Sequence, residues 1–301
     1  QAACFVAFVR DRTPAQRAAL SNPAIWSEGT NGGAVTPSPR LILELSSPAR
    51  TQLYKTLAQD GRNDFQMWPY TFRQDGLEAW FWHSGLSDAT VALVKRLVYP
   101  RGQSLCFSDL PEVFAQLPTV AERRRLVKTL SRNATLLMKL RVTADTDVTA
   151  LTAYWKGIWR AKDIQPMLES LTDVPGGAAI DVAQLLPQFA RKRLNTYPVP
   201  DPATPATDCY WTAMNFFRDP PDDRYYSPAV WQSELTTDYS PVAQPAFGDV
   251  ILFLRPDDLP VHAAVYVADD VVFTKNGGND RQPWMLMKLD DLLARYPQDA
   301  A

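Results

Sequence analysis

Pro198, Pro200, Pro202 and Pro205 crowd one short stretch of this chain. Each fixes its own φ, lacks an N–H donor and pushes the preceding residue away from helix. The stretch therefore reads as an extended connector. The constraint is general, because 25 prolines stand against 13 glycines. Such a chain favours rigid loops and interrupted helices. The connector either separates domains or is a loop inside the C-terminal one. The second reading is preferred. It places the boundary near 165–178, giving an N-terminal domain over 1–168 and a C-terminal domain over 169–301.

A length of 301 residues is comfortable for two domains. A hydrophobic fraction of 46% argues for packed cores over disorder. Lys and Arg number 31 against 33 Asp and Glu, so no basic excess points to nucleic acid or to an anionic membrane. No apolar run approaches the ~20 residues of a membrane span. His83 and His262 are the two histidines, and Cys4, Cys106 and Cys209 form no CxxC pair. A metal cage and a disulfide scaffold are both poorly supplied. No nucleotide loop or flavin signature is present, and no cofactor is expected. The sequence opens Gln1-Ala2-Ala3, which suits a mature chain after loss of an export signal. Export to the periplasm or beyond is the expectation, and Cys4–Cys106 is then the expected bridge.

The first forty residues read mostly as loop. The apolar run Arg40–Leu45 reads as a short buried strand, and 48–60 as a helix stopped by Asp60-Gly61. Phe65, Trp68, Tyr70, Phe72, Trp80, Phe81 and Trp82 follow. Such aromatics can line a groove, but they read here as the core of strands. Helices are expected over 87–98, with Ser87 as cap, and over 119–132. A strand is expected over 136–142, and helices over 147–160, 163–171 and 180–194. Beyond the connector, 208–217 reads as a helix. Strands follow over 249–254, 262–267 and 271–275, and a last helix over 286–296.

Cys209 sits at the start of the 208–217 helix, just after Asp208. A thiol there faces unpaired N–H groups and the positive helix end, both of which favour thiolate. His262 opens a strand and is the candidate base, then acid, for the leaving group. A third group has to fix its tautomer.

Asp208-Cys209 opens a helix, Gly248-Asp249 opens an apolar strand, and His262 leads a strand into a hairpin at Asp269-Asp270. This order resembles the NlpC/P60 family of papain-like cysteine peptidases over roughly the last third of the chain. Tyr226-Ser227-Pro228 followed by Gln232 is similar to that family's Pro-containing loop. Tyr210 and Trp211 depart from the small residues that usually follow the DC pair. The resemblance implies a C-terminal papain-like domain that packs a Cys-bearing helix on a small antiparallel sheet. The whole chain reads as α+β, with a mixed α/β N-terminal domain that is expected to shape the cleft or bind the wall. The resemblance also implies hydrolysis of an amide in the stem peptides of bacterial peptidoglycan. An acyltransferase or deamidase on the same scaffold, or a binding module with a degenerate fold, are the alternatives.

A three-residue loop over 268–270 pairs Val267 with Val271 and sets His262 opposite Asn276, on one face. A two-residue turn sets Thr274 opposite Val265, on the other face. Asn276 is therefore the expected orienter, with Thr274, the choice from the family's commonest spacing, in reserve. The expected oxyanion and substrate contacts are Cys209, through its backbone N–H, with Asp208 and Tyr210.

Overall fold

The structure is a computed structural model. It describes residues 13–29, 32–60, 62–133, 135–156, 161–199, 205–255, 257–278 and 282–296. Cys4 and residues 200–204 of the connector lie outside the described residues, so the expected Cys4–Cys106 pairing is not placed.

The chain divides into two compact units, Gln1–Asn133 with Leu293–Ala301, and Ala134–Leu292. Both mix helices with small antiparallel sheets. The second unit begins well before the expected 168/169 boundary. Val142, Trp155, Ile164 and Leu168 share one buried cluster with Phe189, Trp211, Val265 and Phe273, which ties 134–168 to the C-terminal core.

The first unit carries α1 (Pro14–Leu20), β1 (Trp26–Gly29), β2 (Gly32–Val35), α2 (Pro39–Glu44) and α3 (Ser47–Leu57). It continues with α4 (Asp64–Met67), β3 (Tyr70–Arg73), α5 (Leu77–Trp80), α6 (Asp88–Leu97), β4 (Tyr99–Arg101), β5 (Ser104–Phe107), α7 (Leu110–Gln116) and α8 (Val120–Leu130). The first forty residues thus contain regular elements where loop was expected. The expected strand at 40–45 is the helix α2. Ser38 Oγ accepts from Leu41 N at 3.3 Å and Pro39 opens the first turn, so cap chemistry outweighs the apolar run. The aromatic run is divided: Phe72 and Phe81 are buried, whereas Trp68 and Trp82 are each 73% exposed.

The second unit carries β6 (Lys139–Val142), α9 (Val148–Trp155), α10 (Ala161–Thr172), β7 (Ala178–Asp181), α11 (Gln188–Arg193), α12 (Cys209–Met214) and α13 (Pro228–Thr237). Strands β8 (Val250–Leu254), β9 (Pro260–Ala268), β10 (Val271–Lys275) and β11 (Trp284–Lys288) then form one antiparallel sheet in the order β11-β10-β9-β8. Helix α14 (Leu289–Arg295) closes the described chain. The helix expected over 180–194 is instead the end of β7, a 3-10 turn and α11. Pro187 blocks a continuous helix, and Ala178–Asp181 pairs with β6. The helix expected over 286–296 starts later, because Trp284–Lys288 pairs along the outer side of β10.

Helix α12 lies on this sheet. Trp211, Ala213 and Met214 pack with Ala263, Val265 and Phe273. Full burial of a Val or Phe side chain stabilises by about 1.5–3 kcal/mol, so this face fixes where the helix starts. Gly248, before β8, has φ +98°, and a β-carbon there would lie 2.4 Å from Phe217 Cζ. Asp249 then closes the turn, accepting from Ala246 N at 2.7 Å.

Candidate active site

Asp208 is the N-cap of α12. Its carboxylate accepts from Trp211 N at 2.7 Å, one of the donors a helix start leaves unpaired. Cys209 follows as the first helical residue, is 5% exposed and is a free thiol. The helix that Cys209 opens packs on β9, the backbone N–H of Ala263 acts on the thiol electrostatically, and among the described residues no hydrogen bond joins the sulfur to His262 Nδ1. Tyr210 stacks face to face on Trp231 of α13, with ring centroids 4.0 Å apart.

His262 is fully buried on β9. It pairs across the sheet with Phe253 of β8, the two rings 5.7 Å apart. Its Nε2 lies 2.8 Å from Thr274 Oγ1 on β10. The residue that fixes the ring is thus the reserve choice, Thr274. The Asn276 amide donates to Met287 Sδ at 3.2 Å.

The hairpin explains this. It closes as a two-residue turn, with Val271 opposite Ala268 and both Asp269 and Asp270 at positive φ. A bulge follows at once, and Val272 pairs with Tyr266 and Phe273 with Val265. The bulge adds back one residue, so the strands regain the register of the longer loop. Continued, that register sets Thr274 opposite Ala264, on the face of His262 and diagonal to it. Diagonal neighbours lie about 7–8 Å apart at the backbone, within reach of an imidazole.

The charge state of Cys209 differs from expectation. Burial pushes its thiol up from 9.0 to about 12, and the adjacent Asp208 charge adds to the rise. The surrounding N–H groups oppose this without cancelling it. Asp208 itself sits above its ordinary range through burial, held back by its backbone hydrogen bonds and by Lys275. Burial also raises the Tyr210 phenol, with Cys209 and Asp208 adding to it. The resting thiol is therefore protonated, and the dipole of a six-residue helix capped by a carboxylate does not overcome its burial.

Sequence reasoning missed Lys275, which is fully buried. Its Nζ donates to Gly277 O at 2.7 Å and lies 6.0 Å from the Trp284 ring centroid. The signal was there: position 275 alternates with Val271 and Phe273, both inward on an all-buried strand. The other histidine, His83, is exposed and belongs to the first unit. Among the described residues, no three His, Cys, Asp or Glu side chains are grouped as metal ligands. Among them too, no helix is long and apolar enough to cross a membrane. No family model, curated protein or solved structure matches this chain.

Proposed function

We propose that the second unit is a papain-like, NlpC/P60-like cysteine amidase acting on the stem peptides of bacterial peptidoglycan, in an exported protein. The observation that carries the reading is the orientation of His262 through Nε2 by Thr274 on the sheet against which the Cys209 helix packs. If Nε2–H donates to Thr274 Oγ1, Nδ1 is the basic nitrogen. As the sulfur attacks the amide carbon, Nδ1 takes the thiol proton. An S–C bond forms, and in this reading the backbone N–H of Cys209 donates to the oxyanion. The imidazolium then gives its proton to the amine as the C–N bond breaks. Water hydrolyses the thioester, releasing the acid and restoring the thiol. A protonated resting thiol fits proton transfer during attack rather than a preformed ion pair.

The test is digestion of defined wall fragments, read by mass spectrometry. The unsubstituted protein is expected to release a free amine and a free carboxyl at one amide. Cys209→Ala abolishes this, and His262→Ala lowers it by roughly 10²–10⁴-fold. His83→Ala and Asn276→Ala lower it far less. Transfer of the acyl group to an added amine, with no hydrolysis, marks the acyltransferase alternative. A second reading, a binding module on a degenerate papain-like fold, is favoured by the burial of Cys209 and His262. Intact fragments that bind equally to the unsubstituted protein and to Cys209→Ala select it.

A further inference from the structure

Lys275 is a buried cation that the acyl-transfer scheme does not use. A lysine ammonium removed from water is costly unless it is paired and hydrogen-bonded. Here it holds the turn after β10, through Gly277 O at 2.7 Å. That turn leads to Gly278, which abuts the helix cap: a β-carbon on Gly278 would lie 3.7 Å from Asp208 Cβ. The ammonium reaches the turn, and the turn reaches the helix cap, through these two contacts. The Lys275 charge favours ionised Asp208, and ionised Asp208 opposes ionisation of Cys209.

We propose that Lys275 is a positioning residue for Cys209 that acts through Asp208, its buried ammonium fixing the 276–278 turn and holding Asp208 as the carboxylate cap of α12. The positioning stands on the Lys275–Gly277 hydrogen bond and the approach of Gly278 to Asp208, and only its catalytic meaning rests on the reading of Cys209 as nucleophile. The charged and titratable groups that act on Asp208 are Lys275 of β10, Cys209 and Tyr210 of α12, and Tyr226 of the segment before α13. The groups that act on Cys209 are Asp208, Tyr210 and the Ala263 N–H of β9. With the cation removed, burial acts on Asp208 with less opposition, so its carboxyl titrates at higher pH. Protonated Asp208 no longer opposes the thiolate, so the Asp208 midpoint leaves an inflection in the pH profile of Cys209 alkylation.

The experiment follows the Asp208 carboxyl carbon by NMR, and iodoacetamide alkylation mapped to Cys209, both against pH in the full chain. Lys275→Met is expected to raise the Asp208 midpoint by about one pH unit, a tenfold change in proton affinity. Lys275→Arg restores it. The alkylation inflection moves with Lys275→Met when Asp208 is present and is absent in the Asp208→Asn background. In the unsubstituted protein the Lys275 Nζ resonance shifts with the Asp208 midpoint, a measurement that holds even if Lys275→Met does not fold. An unmoved Asp208 midpoint, unrelated midpoints for the two groups, or equal alkylation changes in both backgrounds overturn the assignment. Intact coupling in a protein that cleaves no wall fragment supports the Lys275 assignment and removes the amidase reading alone.

Discussion

A thiol at a helix start gains from the dipole only where no other group already serves that end. In α12 the Asp208 carboxylate serves it, and burial completes the opposition, taking Cys209 to about 12. The folded protein therefore binds this proton more tightly than the unfolded chain, whose ordinary value is 9.0. The corresponding stability is fully present below pH 9 and is lost as pH rises toward 12. Urea denaturation at stepped pH is expected to show this alkaline loss, and Cys209→Ala to reduce it. Iodoacetamide is expected to modify Cys209 at pH 7 more slowly in the folded protein than in urea. Equal rates would remove the buried-thiol description. Gly248 makes a second point at this scale. Its φ of +98° and the Phe217 ring leave no room for a side chain. Gly248→Ala is expected to lower stability by roughly 1–3 kcal/mol, read as a fall in the denaturation midpoint.

The β9–β10 hairpin decides which polar residue meets His262. Turn length alone gives the wrong answer, because the bulge after Val271 resets the register that the two-residue turn begins. Thr274 thereby shares the face of His262, and its hydroxyl reaches Nε2 at 2.8 Å. Thr274→Val keeps the shape and removes the hydroxyl. One such hydrogen bond is worth about 1 kcal/mol net, a roughly fivefold bias between the two ring tautomers. Imidazole ¹⁵N shifts are expected to show mainly the Nε2–H form in the unsubstituted protein and a mixture in Thr274→Val, with Thr274→Ser restoring the bias. A tautomer ratio unaffected by Thr274→Val would deny Thr274 its orienting role.

At the scale of the whole molecule, the described residues of the second unit share one buried cluster and those of the first form two, one of which, under α2 and α3, lies beside a buried ion pair. Arg50 is fully buried and donates to Asp109 Oδ2 at 2.7 Å, to Leu45 O at 2.8 Å and to Ile42 O at 2.5 Å. Tyr54 donates its hydroxyl to the same carboxylate. Burial holds the Asp109 carboxyl above its ordinary range in spite of Arg50. Arg50 thus caps the end of α2 and links it through Asp109 to the start of α7. Arg50→Met strands a buried carboxylate and two carbonyls, and is expected to cost about 3–5 kcal/mol in chemical denaturation. Adding Asp109→Asn is expected to return part of that loss. A change of Arg50→Met within ~0.5 kcal/mol would show that the pair does not hold this core together.

What the sequence determined by itself was local. Ser87 starts α6, Asp208 caps α12, Asp269-Asp270 forms the turn, and the runs at 250–254 and 271–275 form strands. Each depends on residues a few positions apart, whose backbone preferences hold in any fold. The candidate cysteine and histidine were legible for the same reason, since a capped helix start and a strand start can be read along the chain. Tertiary structure decided the rest. Trp284–Lys288 became a strand because β10 presented an edge to pair with, and 134–168 joined the C-terminal core through Trp155, Ile164 and Leu168, whereas the helix at 40–45 follows from its own Ser38-Pro39 cap, a local signal overshadowed by the apolar run. The orienter, the buried lysine and the protonated thiol belong to this second group. A bulge, a burial and a neighbouring charge set them, and these exist only once separate stretches of chain have been brought together in low dielectric.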